Sequence, residues 1–161
     1  MATSDLENHF LQLVNASRAQ AGLNPLVFDA ELDAAAQSHA VWMDQTDTFS
    51  HTGVGNSSPG DRIAAAGYDN AGWAENVAYA SWWDPTGTVV MDQATVDQLH
   101  RQLMDSPGHR ANILSADMRE IGIGLHQGVI NGMPAAFVTE VFGIPTAAEA
   151  VETDKGYQLL G

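Results

Sequence analysis

The feature that most constrains this chain is a change of hydrophobic period late in its length. Up to about residue 104, apolar residues recur at helical spacing. From Ile121 they alternate instead: Ile121, Ile123 and Leu125 are separated by Gly122, Gly124 and His126. Beyond Asn131-Gly132, a strong turn signal, Phe137, Thr139 and Val141 alternate with Val138, Glu140 and Phe142. Two alternating runs joined by Asn-Gly predict a β-hairpin. Helices first and strands last do not make the β-α-β series of a parallel sheet. The expected fold class is therefore α+β, with helices packed on an antiparallel sheet. Gly122 and Gly124 strip side chains from one face of the first strand, so another element is expected to press against it.

The helical part reads segment by segment. Ser4 and Glu7 form a capping box, and Leu6, Phe10, Leu13, Val14 and Ala21 share one face before Gly22. Asn24-Pro25 is a turn, and Asp29 caps a second helix over about residues 30–45. That helix carries Leu32, Ala35, Ala36, His39, Ala40 and Met43 on its apolar stripe, which makes His39 a hydrogen-bonded core histidine. Residues 47–58 read as loop. Ser58-Pro59 opens a short helix that Gly67 ends, and residues 82–87 read as another loop. Val96, Leu99 and Leu103 mark a helix over about residues 92–104. Ser106-Pro107 then opens a short one through Leu114, with Ser106 as N-cap and His109 in its first turn. The positive end of a helix favours a neutral imidazole, the form that binds metal or accepts a proton. Past residue 143 the apolar pattern fades, so 144–161 reads as a weakly ordered tail or linker.

Composition narrows the function. The 161 residues suit one domain, and 20 acidic against 6 basic residues give a net charge of −14. Such a surface repels nucleic acid and anionic membranes. There is no cysteine, which removes disulfide and thiolate chemistry. No apolar run is long enough to span a bilayer, and no signal peptide is visible at the start.

Six segments, in order, resemble the CAP superfamily of cysteine-rich secretory, antigen 5 and pathogenesis-related proteins, and above all its bacterial SCP-like extracellular branch. They are Leu13-Val14-Asn15 with Arg18, Phe49 to Gly53, Ala74 to Ala78, Ser106 to Leu114, Ile121 to Gly124, and Phe137 to Gly143. The resemblance covers roughly residues 5–143. It implies a three-layer α-β-α sandwich around a central antiparallel sheet, and a cleft lined by two histidines and two acidic residues. His51 matches the first histidine, Glu75 the glutamate of the Glu-Asn pair, and His109 the second histidine. At the second acidic position the chain departs: Leu103-Met104-Asp105-Ser106 stands where a Trp-x-x-Glu motif is found in eukaryotic members. Asp105 is expected to favour the start of the following helix.

Two imidazoles and a carboxylate suit a divalent ion, zinc above all, with a position left for water. His51, Glu75 and His109 are thus the metal or catalytic candidates, and Ser106, Trp73 and Glu140 the groove candidates. The spacings are not a local metal motif, so convergence is implied by the resemblance alone. The bland alternative is a hydrogen-bonded cluster in which Glu75 orients the imidazoles. Trp73, Trp82 and Trp83 lie in loop-like sequence and either wall a groove or cover the sheet edge. His9, His100 and His126 are read as surface or flanking residues.

Three functions follow. The first is a secreted module, expected to be monomeric, whose metal-dependent cleft recognises a small apolar ligand or a peptide. The second is a metal-dependent, peptidase-like hydrolase using His51, Glu75 and His109. The third is a cytoplasmic structural domain. Related bacterial chains can precede acidic calcium-binding repeats that direct secretion. No such repeat occurs in this sequence, so any such region is expected to follow it.

Overall fold

The computed structural model describes residues 4–81 and 89–150. Among the described residues, five longer helices flank a four-stranded sheet: α1 Asp5–Gln20, α2 Ala30–Gln45, α3 Pro59–Ala65, α4 Gln93–Asp105 and α5 Pro107–Ile113, with strands β1 Val27–Phe28, β2 Asn70–Ser81, β3 Glu120–Ile130 and β4 Met133–Pro145. The strand order is β1-β3-β4-β2. β3 and β4 form the expected hairpin, in register from Ile130↔Met133 to Glu120↔Gly143. Its turn places Asn131 and Gly132 at φ 50° and 74°, a left-handed pair that Asn-Gly tolerates and bulkier residues resist.

Alternation on β4 sorts the layers. Ala136, Val138 and Phe142 join Phe10, Val14, Val96, Leu99, Leu103 and Ile113, so α1, α4 and α5 cover one face. Ala135 and Phe137 join Ala40 and Met43, and Val141 joins Leu32, Ala36, Ile63 and Tyr68, so α2 and α3 cover the other. The result is the α-β-α sandwich. Gly122 and Gly124 face α2 at close range. A Cβ on Gly122 would lie 2.1 Å from the Leu32 carbonyl carbon, and one on Gly124 would lie 2.4 Å from that of Ala36. The helix backbone therefore rests directly on the strand backbone.

The structure departs from the sequence reading in several places. The sheet is not wholly antiparallel, because β1 adds a two-residue parallel edge against β3. β2, twelve residues long, was not legible as a strand. Its Gly- and Ala-rich sequence lacks β-branched alternation, and pairing with β4 from Asn70↔Pro145 to Ser81↔Ala135 holds it extended. Trp73 therefore stands on a strand, not in a loop. β4 continues to Pro145, residues 147–150 are helical, and Glu149 is buried, so 144–150 belong to the fold rather than to a tail. Trp82, Trp83 and residues 151–161 lie outside the described residues.

His100 is not at the surface. It sits on the buried face of α4, edge-on to Phe10, with Nε2 3.0 Å from the Ser17 hydroxyl. Its position one residue after Leu99 turns it toward α1. His9 and His126 are half-buried and pair with Asp97 and Asp44, each at 2.7 Å.

Candidate functional site

β2 is an edge strand, and its alternation divides the neighbourhood of the candidate residues. Glu75 projects toward the α2–α3 layer and Asn76 toward the α5 layer. Each organises one histidine.

On the first side, Glu75 is buried and both its oxygens are engaged. Oε1 accepts from His51 Nδ1 at 2.9 Å, and Oε2 accepts from Arg62 Nη2 at 2.6 Å. Arg62, itself buried on α3, also donates through Nη1 to the carbonyls of His51 and Ser57, both at 3.0 Å. One guanidinium thus ties the loop that carries His51 to the carboxylate that orients it. His39 stands behind, its Nε2 4.0 Å from Glu75 Oε1. A carbonyl only accepts, so the 2.7 Å contact between His39 Nε2 and the Ser50 oxygen fixes the proton on Nε2. Burial, first, pushes His39 below the usual imidazole range and keeps it neutral. The His51 ring is 55% exposed, with Nδ1 committed to Glu75.

On the second side, Asn76 is fully buried and holds α5. Its Nδ2 donates to the His109 carbonyl at 3.0 Å and to Glu140 Oε2 at 2.8 Å, while its Oδ1 accepts from Asn112 Nδ2 at 2.8 Å. Glu140 is wholly buried on β4, and burial pushes its carboxyl up to about 7. Its Oε1 has no partner among the described residues. The His109 ring is held below the usual imidazole range, first by desolvation and then by the charge of His51. That influence puts the His109 imidazole within electrostatic reach of His51.

A groove of about 520 Å³ runs beside β2 from His109, lined also by Ser106, Gln98, Gln102, Tyr79 and Phe49. Phe49 and Tyr79 meet edge-to-face, 4.9 Å between centroids. Gln102 donates to the outward Tyr79 carbonyl at 3.2 Å. Ser106 is the N-cap residue of α5 by position, yet its side chain makes no capping hydrogen bond.

The groove candidates thus separate. Ser106 lines the groove. Glu140 lies beneath α5, inside the fold. Trp73, 41% exposed, covers α3, where its Nε1 would lie 2.6 Å from a Cβ on Gly60. Asp105 is exposed beside the groove. Sequence reasoning did not single out Arg62, Tyr79, Gln98 or Gln102. Arg62 had one available signal: it is one of only six basic residues in the chain and lies just after a helix start. The donor atoms of His51, Glu75 and His109 do not close on one point. Among the described residues, the one trio of such atoms within 4.8 Å of each other is Asp29, Glu31 and Glu149, elsewhere in the fold.

The sequence profile of the cysteine-rich secretory protein family, CAP, matches residues 11–130. The chain belongs to this family. A relative in Bacillus subtilis (strain 168), the uncharacterized protein YkwD, is 29% identical over 123 residues, which are 76% of this chain and 43% of that protein. The chain therefore spans less than half the length of that curated relative. An outer surface protein of Borrelia burgdorferi superposes with a TM-score of 0.70 at 17% identity, covering 91% of this chain and 97% of that one. An extracellular SCP-domain protein of Bacillus anthracis str. Ames superposes at 0.65 and 22% identity, covering 86% of this chain and 40% of that one. At these identities the likeness shows the fold alone. Together the matches make the chain a bacterial member of the CAP superfamily.

Proposed function

We propose that this CAP domain acts outside the cell as a binding module, whose cleft between His51 and His109 holds a divalent ion, zinc by donor type, and recognises a small apolar ligand or a peptide. The observation that carries this reading is the engagement of Glu75. With both oxygens already bonded to His51 and Arg62, Glu75 orients rather than ligates. It commits His51 Nδ1 and leaves His51 Nε2 and the neutral His109 ring as donors, in the manner of a carboxylate that orients a metal-bound imidazole. Two imidazole nitrogens and open positions for water are a donor set that zinc accepts. When bound, the ion would supply a Lewis-acid centre for a polar group of the ligand. Phe49 and Tyr79 offer the adjoining apolar contact. The extracellular placement is supported by the likeness to the extracellular SCP-domain protein of Bacillus anthracis.

A hydrolase would need a carboxylate poised to take a proton from water, whereas Glu75 is buried and each of its oxygens already accepts a hydrogen bond from His51 or Arg62. The test is zinc titration by calorimetry with elemental analysis. Wild type is expected to take up one zinc per chain. His51→Ala and His109→Ala should each abolish tight binding, and Glu75→Gln should weaken it roughly 10- to 100-fold. Zinc uptake that ignores all three substitutions, or no uptake by wild type, would overturn the proposal.

A further inference from the structure

β2 has β4 on one side and, among the described residues, no strand on the other. In an antiparallel ladder, alternate residues exchange both backbone bonds with the partner strand, and the residues between them turn theirs away. Gln102 reaches the Tyr79 carbonyl from outside the sheet, which fixes the phase. Glu75, Val77, Tyr79 and Ser81 therefore point their N–H and C=O groups off the sheet, while Asn76, Ala78 and Ala80 point theirs at β4. For the outward groups of Val77 and Tyr79, Gln102 is the one partner among the described residues. It is an exposed amide on α4, and it takes an acceptor that a neighbouring strand would otherwise use.

The groove of about 520 Å³ opens along this edge. Val77 is packed in the core on the α2 side, Ala78 and Ala80 in the core on the α4 side, and all three also line the groove. With their side chains spent inside, what they turn to the groove is main chain. One wall is the Phe49–Tyr79 pair, with Phe49 45% exposed, and the other carries Gln98, Gln102, Ser106 and His109. Side chains of an added strand would alternate between these walls, one aromatic and one made of neutral hydrogen-bonding groups. Among the described residues no Asp, Glu, Lys or Arg lines the groove, yet the chain carries a net charge of −14 and Asp105 is exposed beside it. A segment that fits is uncharged where it lies in the groove and basic at its flanks.

We propose that the free edge of β2 binds an extended peptide as an added β-strand, with alternating apolar and hydroxyl side chains in the groove and basic residues at its ends. The main chain of the peptide pairs with the outward N–H and C=O groups of Val77 and Tyr79 and displaces Gln102 from the Tyr79 carbonyl. The inference rests on the reading of this groove as the ligand site of a binding module, and it names the ligand class. It does not pass through the ion.

The probe is the peptide acetyl-Lys-Thr-Val-Thr-Val-Thr-Lys-amide, followed by calorimetry and by amide hydrogen exchange read in NMR spectra. Saturable binding of one peptide per chain is expected. Exchange at the Val77 and Tyr79 amides should slow by roughly tenfold or more at saturation. The amides of Ala78 and Ala80, already bonded to β4, should not change. The same peptide N-methylated at its Thr and Val residues keeps the side chains and loses the main-chain donors, and should bind at least about tenfold more weakly. Glutamate in place of both lysines should weaken binding as well. Gln98→Trp, at an exposed position, should narrow the groove and lower the affinity. The titration is repeated with zinc and with EDTA, and the affinity should be the same in both. Peptide binding without zinc uptake would remove the ion and leave the added strand; zinc uptake without peptide binding would do the opposite. No saturable binding, equal affinity for the N-methylated peptide, protection that does not alternate along β2, or binding that requires zinc would overturn the proposal. So would protection of Val77 and Tyr79 that grows with protein concentration alone, which would assign the edge to a second copy of the chain.

Discussion

The two sides of β2 hold their histidines by opposite means. On the α2–α3 side a charged pair, Glu75 and Arg62, grips the His51 loop through short ionic hydrogen bonds. On the α5 side a neutral amide, Asn76, grips His109 through its backbone and shares its donor with a carboxyl kept near its own midpoint of ionisation. The first arrangement fixes a ring, since it bonds the imidazole itself. The second fixes a helix and leaves the imidazole without a hydrogen bond among the described residues. A cleft built this way holds one imidazole rigidly and leaves the ring of the other to be set by its surroundings.

Breaking the charged side should have the largest effect. Arg62→Ala leaves Glu75 buried without its cation and frees the carbonyls of His51 and Ser57. Truncating one partner of a buried pair costs about 3–5 kcal/mol. Urea denaturation should show a loss of that order, and His51 should lose its fixed orientation. A loss under about 1 kcal/mol would mean that water replaces the guanidinium and that the loop does not depend on it.

The neutral side should show itself next, through pH. Glu140 has a folded pKa of about 7 against 4.5 for the free side chain, so the folded state binds its proton more tightly than the unfolded chain. Its contribution is full below pH 4.5 and is lost as pH rises toward 7, by roughly 3 kcal/mol in all. The imidazoles of buried His39 and His100 and of half-buried His109 act in the other direction. Their pKa values are held down, so their contribution is lost as pH falls below the unfolded histidine value. Glu140→Gln keeps the shape and removes only the carboxyl. Subtracting its stability curve from that of wild type cancels the imidazoles and the raised Asp33. The remaining difference should slope across about pH 4.5–7 and flatten beyond, with the variant more stable at about pH 8. A flat difference curve would place the ionisation of Glu140 at its ordinary value.

Asn76→Ala should follow, at about 2–3 kcal/mol, because it deprives Glu140 of its hydrogen bond and the His109 carbonyl of its donor inside a dry interior. Zinc binding should fall with it, since α5 loses its anchor. Unchanged affinity would mean that packing of Ile113 alone positions the helix.

How much of this was legible beforehand differs between the two sides for a physical reason. The hairpin, the capping boxes and the helical faces announce themselves because each rests on local periodicity, and the sandwich follows from them. His109 was equally readable, because Ser106-Pro107 marks its helix start in sequence. The strand bearing Glu75 and Asn76 was not. Its Ala and Gly residues carry little β preference, and its extended form comes from pairing with β4, far along the chain. Arg62 was hidden for the same reason, since its partners Glu75 and His51 are brought to it only by the tertiary fold. His100 was misjudged because burial against α1 depends on how two helices pack, which periodicity within one helix does not report. The resemblance to the CAP family pointed to His51, Glu75 and His109 together, but it did not reveal that both carboxylate oxygens are already engaged by His51 and Arg62.

The smallest effect concerns Ser106, where α5 begins. Serine at a helix start ordinarily accepts from a backbone N–H two or three residues on. Ser58 does so at the start of α3, accepting from Asp61 N at 3.1 Å in a complete capping box. Ser106 occupies the same position on α5 and makes no such bond. Replacing Ser58 by alanine should therefore cost about 1 kcal/mol, the usual value for a lost cap. Ser106→Ala should stay within about 0.5 kcal/mol, as for a surface position. The hydroxyl of Ser106 is then free for the groove it shares with His109, and its removal should register in ligand affinity rather than in melting temperature. If the two serines cost the same, Ser106 caps its helix in solution, and its hydroxyl is not free for the groove it lines with His109.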